Sequence, residues 1–89
     1  MRIVWHEPKR RENLRKHELD FADAARVFSG PTHTFEDKRF AYVEARFVTL
    51  GLLHDVVVVI AHTECTEELR IISMRKATRH EQNIFFENF

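Results

Sequence analysis

The chain has 89 residues, 44% of them hydrophobic, enough for one modest core and not for two, so residues 1–89 are expected to form a single domain. Fourteen Lys and Arg balance fourteen Asp and Glu, which excludes a uniformly basic nucleic-acid binder, and the lone Cys65 excludes an internal disulfide. The longest unbroken apolar run, Val56 to Ala61, is too short to span a bilayer and no charged-then-apolar leader is visible, so the expectation is a soluble, cytoplasmic protein with no membrane partner.

Arg2 to Trp5 is a short apolar opening that can pair as a strand. Pro8 suits the first turn of a helix, where its missing N–H costs nothing, and a mostly polar helix is predicted from there to about His17. Lys9, Asn13 and Lys16 or His17 recur along one side of it, a stripe whose ordinary reading is a solvated face. His17 also suits a helix C-terminus, where the dipole favours a cation. Asp20 and Asp23 then supply an N-cap and a first-turn acid for a second helix. In that helix Phe21, Ala24, Ala25 and Phe28 form an apolar stripe that must be buried, and Ser29-Gly30-Pro31 ends it.

From Thr32 the period changes to that of strands. Thr32–Glu36 is a weak strand, residues 37–44 a charged connection, and Arg46–Leu53 a stronger strand interrupted by Gly51. His54-Asp55 is the only polar break before Val-Val-Val-Val-Ile-Ala, which predicts a tight hairpin leading into a strand buried on both faces. A turn at residues 64–67 leads to Leu69–Met74, and Ile84, Phe85, Phe86 and Phe89 give a C-terminal helix one aromatic side. The expected fold class is α+β: an antiparallel sheet of three to four strands packed with two N-terminal helices and one C-terminal helix.

The segment Arg70-Ile-Ile-Ser-Met-Arg-Lys-Ala-Thr-Arg-His-Glu81 joins a buried strand to a helix that opens on a Thr78/Glu81 capping box. Arg75 and Lys76 precede that helix and Arg79 lies in its first turn, so a phosphate could bind at the junction; the alternative is that Arg70 and Arg75 are the solvated ends of an ordinary strand. Regular strand geometry would point Ile71, Ser73 and Arg75 to one face and Arg70, Ile72 and Met74 to the other, so the two arginines share a site only if the chain bends. The neutral total hides an uneven distribution: +4 over residues 1–17, −6 over residues 18–69 and +3 over residues 70–81. Folding could bring the two basic segments together on one face. Two glycines are too few for a Gly-rich phosphate loop, and the six histidines make no metal-binding spacing, so neither cofactor nor metal is expected.

The chain resembles the BrnT toxins of bacterial type II toxin–antitoxin systems. The resemblance is carried by Trp5, Lys9-x-x-x-Asn13-x-x-Lys16-His17, Phe21 with Ala24-Ala25, Glu36-Asp37-x-Arg39, Glu44-x-Arg46, Gly51, and Arg70-Ile-Ile-Ser-x-Arg75-Lys-Ala77 followed by Glu81. It departs from the family pattern at His6 (usually Asp), Glu18 and Val43 (usually Gly), and Phe85 (often Tyr). The resemblance implies a RelE-like fold, metal-independent RNA cleavage, growth arrest, and a hetero-oligomer with a cognate BrnA-like, DNA-binding antitoxin.

RNA carries its own nucleophile, the 2′-hydroxyl, so cleavage needs only a base, an acid and cations that stabilise charge building on the phosphate. On that reading Arg75 is the principal transition-state cation with Arg70 beside it in the same motif, and Lys9 and Lys16 contact phosphate. His17 is the acid or base because its ordinary pKa is near neutrality, Glu44 is an alternative base, and Lys76 and Arg79 are further RNA contacts. The rival reading is a non-catalytic module whose basic face binds RNA or an acidic protein segment.

Overall fold

Five strands form one sheet in the order β1-β5-β4-β3-β2 in the computed structural model, which describes residues 1–89. The strands are β1 (Arg2–Trp5), β2 (Thr32–Asp37), β3 (Arg46–Leu53), β4 (Val56–Glu64) and β5 (Glu68–Lys76), and the helices are α1 (Glu7–His17), α2 (Ala24–Phe28) and α3 (Arg79–Glu87). β2 to β5 pair antiparallel in sequence order, and His54 and Asp55, both at positive φ, make the tight turn between β3 and β4.

Two expectations need correction. The sheet is mixed, because β1 pairs parallel to β5 from Arg2 opposite Glu68 to Trp5 opposite Ile71. Such a pairing joins segments at opposite ends of the chain, so no local pattern announces it. The second helix is a 3-10 turn, Phe21–Asp23, followed by only five α-helical residues; Asp20 caps the turn by accepting the Ala22 N–H.

The sheet is covered on both faces. On one, Phe21, Ala24 and Val27 pack with Leu53, Val58, Ile60, Leu69, Ile71 and Met74. α2 approaches so closely that a Cβ on Gly51 would lie 2.5 Å from Val27 Cγ1, so β3 needs glycine there. On the other face Phe85 of α3 closes a smaller cluster with Leu50, Val57 and Val59. Val57, Val58, Val59 and Ile60 are therefore buried on alternating sides, as a central strand requires.

α1 lies along the sheet edge rather than on a face. β1 stops opposite Ile71, leaving the Met74 backbone of β5 without a strand partner on that edge. The Asn13 amide takes its place: Nδ2 donates to the Met74 carbonyl at 2.9 Å and Oδ1 accepts the Met74 N–H at 3.1 Å. Asn13 is thus buried, while Lys9, Lys16 and His17 of the same stripe stay exposed, as a solvated face would have them. Arg10 holds the other end of this arrangement with two bonds to Asp20, at 2.7 and 2.9 Å.

Candidate functional site

A β-bulge in β5 decides where the arginines point. Ser73 pairs with Ala61 but Ile71 pairs with His62, so Ile72 is an extra residue without a partner. It shifts the alternation by one. Ile71 and Met74, expected on opposite faces, both enter the α2-side core, and Arg70, Ser73 and Arg75 come together on the α3 side.

The register then builds three rows across that face. Arg75 lies in line with Val59, Leu50 and His33; Ser73 with Ala61, Val48 and Phe35; Arg70 with Thr63, Arg46 and Asp37. α3 covers the first row through Phe85 and leaves the other two open. Two hollows result. One, of about 360 Å³, is lined by Phe35, Tyr42, Ser73, Arg75 and Glu81 among others; a neighbouring one, of about 460 Å³, is lined by Lys9, Glu44, Arg46 and Arg70 among others. A third, of about 420 Å³, runs along α1 past Lys9, Lys16 and His17 and shares Ile72 and Ser73 with the first.

Lys9, Lys16, His17, Glu44, Arg70 and Arg75 therefore line one continuous depression around the bulge. Lys76 and Arg79 do not. Lys76 pairs with Val58 and so projects to the α2 side, and Arg79 sits exposed on α3 away from all three hollows. The anion expected at the strand-to-helix junction is the chain's own Glu81. Its carboxylate accepts the Thr78 N–H in the capping box and two bonds from Arg75, at 2.7 Å from Nη1 and 2.8 Å from Nη2. Arg75 holds the Glu81 carboxyl down at about 2, and Glu81 in turn raises Arg75. Only the end of the guanidinium is occupied; no hydrogen bond engages Nε–H.

Other charges around the depression are also arranged by neighbours. Asp37 accepts a bidentate pair from Arg39 and the Tyr42 hydroxyl, and those bonds, Arg39 first, hold its carboxyl well below the usual range. Arg46 has no ion pair and lies 4.5 Å over the Tyr42 ring. Lys9 and Arg70 have no carboxylate partner either, so the site keeps cations uncommitted. Nowhere do three or more His, Cys, Asp or Glu side chains gather as ligands for a metal ion.

A family model described as "Ribonuclease toxin, BrnT, of type II toxin-antitoxin system" matches residues 5–81. The chain belongs to the BrnT family. Comparison with curated proteins finds no match. The matched span runs from Trp5, at the end of β1, to Glu81, the partner of Arg75, and so contains the whole depression. As members of a type II toxin–antitoxin family, BrnT chains are ribonuclease toxins that act opposite a cognate antitoxin.

The positions where this BrnT-family chain departs from the pattern have structural readings. Glu18 is the C-cap of α1 at φ 58°, a left-handed conformation that glycine adopts more easily. Phe85 is 1% exposed beneath α3, so a phenylalanine in place of tyrosine there withdraws no hydroxyl from the open rows. Val43 is fully exposed in the loop over the second hollow. Reading the sequence alone left out Asp37, Arg39, Tyr42, Arg46, Ser73 and Glu81 as site residues. Four of these lie in the acid-x-Arg patterns Asp37-x-Arg39 and Glu44-x-Arg46 and in the Glu81 capping box, a signal that was present but equally consistent with surface charge.

Proposed function

We propose that this chain is a metal-independent endoribonuclease whose activity arrests growth and is neutralised by a BrnA-like, DNA-binding antitoxin. The observation that carries the reading is the bulge at Ile72, which turns Arg70 and Arg75 to the same open face beside Lys9 and Arg46. A cluster of cations with so few committed partners is costly unless an anion visits it.

The chemistry follows from RNA itself. The 2′-hydroxyl loses its proton to a base and its oxygen attacks the adjacent phosphorus; the bond to the 5′-oxygen breaks, and that oxygen takes a proton from an acid. The products are a 2′,3′-cyclic phosphate and a free 5′-hydroxyl, with no net loss of charge balance. Arg75, presenting Nε–H, and Arg70 stabilise the phosphorane as charge builds on its oxygens. Lys9 and Lys16 hold the strand along α1. His17 lines the α1 hollow and Glu44 the Arg70 hollow, two neighbouring hollows that share Lys9, and on this reading one serves as acid and the other as base. An antitoxin that covers these cations blocks access of the phosphate, and electrostatic complementarity favours an acidic segment for that task.

The test has two arms. Expression of the chain in a bacterial host should stop growth, and co-expression with the neighbouring antitoxin should restore it. Purified protein should cleave RNA equally well with and without a strong chelator. Growth unaffected by the chain, or cleavage abolished by EDTA and restored by a divalent ion, would refute the corresponding half of the reading; RNA binding with no cleavage would favour a non-catalytic module.

A further inference from the structure

We propose that the row Phe35–Val48–Ala61–Ser73 is a nucleobase subsite, in which one unstacked base of the RNA lies on the Phe35 ring and the apolar floor beside it. This rests on the ribonuclease reading and specifies which part of the strand the open face holds.

Phe35 is on the edge strand, yet it points to the inner face, between the row that runs from His33 to Arg75 and the row that runs from Asp37 through Arg46 to Arg70. Its side chain is left 43% exposed because α3 covers only the neighbouring row, where Phe85 meets Leu50 and Val59. The Phe35 ring meets the His33 imidazole at 5.8 Å between centroids, and with Val48 and Ala61 it offers an apolar surface about one residue row wide. That matches the face of a base better than it matches an apolar side chain, which would need a pocket around it. The hollow above it is about 360 Å³.

The flanks fit the rest of a nucleotide chain. Arg75 bounds the row on one side and Arg46 with Arg70 on the other. Along β4 their rows are four residues apart, from Val59 to Thr63, which is about 13 Å at the usual rise of a strand. Phosphates on either side of a splayed nucleotide can reach both rows, while its base turns down to the floor between them. Ser73 ends the apolar row with a hydroxyl that makes no hydrogen bond inside the chain, and it can read the edge of the base. The order cation, aromatic floor with one polar reader, cation follows that of a nucleotide between its phosphates, toward which the long arginine side chains of both rows can lean, and would be wasted on a free phosphate.

The probe is a short 2′-O-methyl RNA, which cannot be cleaved, carrying one central 2-aminopurine, together with end-mapping of cleavage in a mixed-sequence RNA. The full chain should bind the probe with quenching of its fluorescence. Phe35→Ala should bind roughly ten-fold more weakly and lose the quenching. Phe35→Tyr, which keeps the ring, should restore both, whereas Phe35→Leu, which keeps apolar area alone, should not restore the quenching. Cleavage by Phe35→Ala should be slower and should lose base preference at the cut. If Phe35→Ala does not fold by circular dichroism, the comparison of the Tyr and Leu variants decides. Unchanged probe binding and unchanged base preference would overturn the subsite while leaving the ribonuclease standing; a wild-type chain that neither binds the probe nor cuts RNA would overturn both. Loss of antitoxin binding with RNA binding intact would assign the row to the protein partner, and the subsite would again fall.

Discussion

On the α2 side of the sheet, β3, β4 and β5 turn inward Leu53, Val58, Ile60, Leu69, Ile71 and Met74, and nothing charged is left among them. On the α3 side the same three strands turn inward Leu50, Val57 and Val59 at one end, with Arg75 beside Val59, but Ser73, Arg46 and Arg70 toward the other. The backbone is common to both faces, so what separates a core from a site is where the covering helix lies and one inserted residue. α3 has nine residues and covers only the end of the face nearest Phe85. Without Ile72 as an unpaired residue, either Arg70 or Arg75 would have pointed into the apolar cluster, at a desolvation cost that no nearby carboxylate offsets. The polar side chains that do enter the α2 side, Thr49 and His62, are satisfied in part by each other, at 2.7 Å.

The comparison is broken most severely by removing charge from the open face. Arg75→Ala should lower RNA cleavage about 10²- to 10³-fold, the usual loss for one transition-state donor, with near-wild-type circular dichroism. Arg79→Ala, a cation in the same motif that lies off the face, should stay within about two-fold. Equal effects of the two substitutions would mean that the face has no special role.

Detaching α1 should matter next. Asn13→Ala leaves the buried Met74 N–H and carbonyl without partners, which should cost about 3 kcal/mol and lower the melting temperature by on the order of 15 °C. Cleavage should fall as well at temperatures where the variant is still folded, because α1 carries Lys9, Lys16 and His17. A melting temperature within a degree or two of wild type would show that water replaces the amide without loss.

The sealed face predicts a pH dependence. Burial lowers the His62 pKa to about 4, and its Nδ1 has no hydrogen-bond partner. The unfolded chain, with this histidine near its ordinary value, takes up a proton first as pH falls. Stability should therefore be full above about pH 6.5 and decline as pH drops toward 4, by up to ~3 kcal/mol. Urea melts at stepped pH measure the slope, and His62→Gln should flatten it; a slope unchanged in that variant would place the effect elsewhere.

The smallest expected effect lies where a side chain occupies a left-handed turn. Glu18→Gly should raise stability by about 1 kcal/mol, since glycine meets φ 58° without a Cβ clash, and should leave cleavage unchanged. A lower melting temperature would show that the entropy of the glycine in the unfolded chain outweighs the relief.

Local chemistry carried much of this molecule in its sequence. The Thr78/Glu81 capping box, the His54-Asp55 hairpin, the Asp20 cap and the doubly buried valine run each depend on residues near one another in the chain, whose hydrogen bonds and apolar period act over a few positions. The residues of the depression on α1 and β5 were also legible, through the pattern they share with BrnT toxins. What the tertiary structure alone decided were relations between distant segments. The parallel pairing of β1 with β5, the Asn13 amide standing in for a strand at Met74, and the two bonds of Glu81 to Arg75 join groups whose meeting depends on the whole chain's path. The bulge belongs with them. Whether β5 runs with regular alternation or admits one extra residue is settled by what its neighbours β4 and α1 will accept, since a strand's own sequence satisfies period two equally well on either side of Ile72.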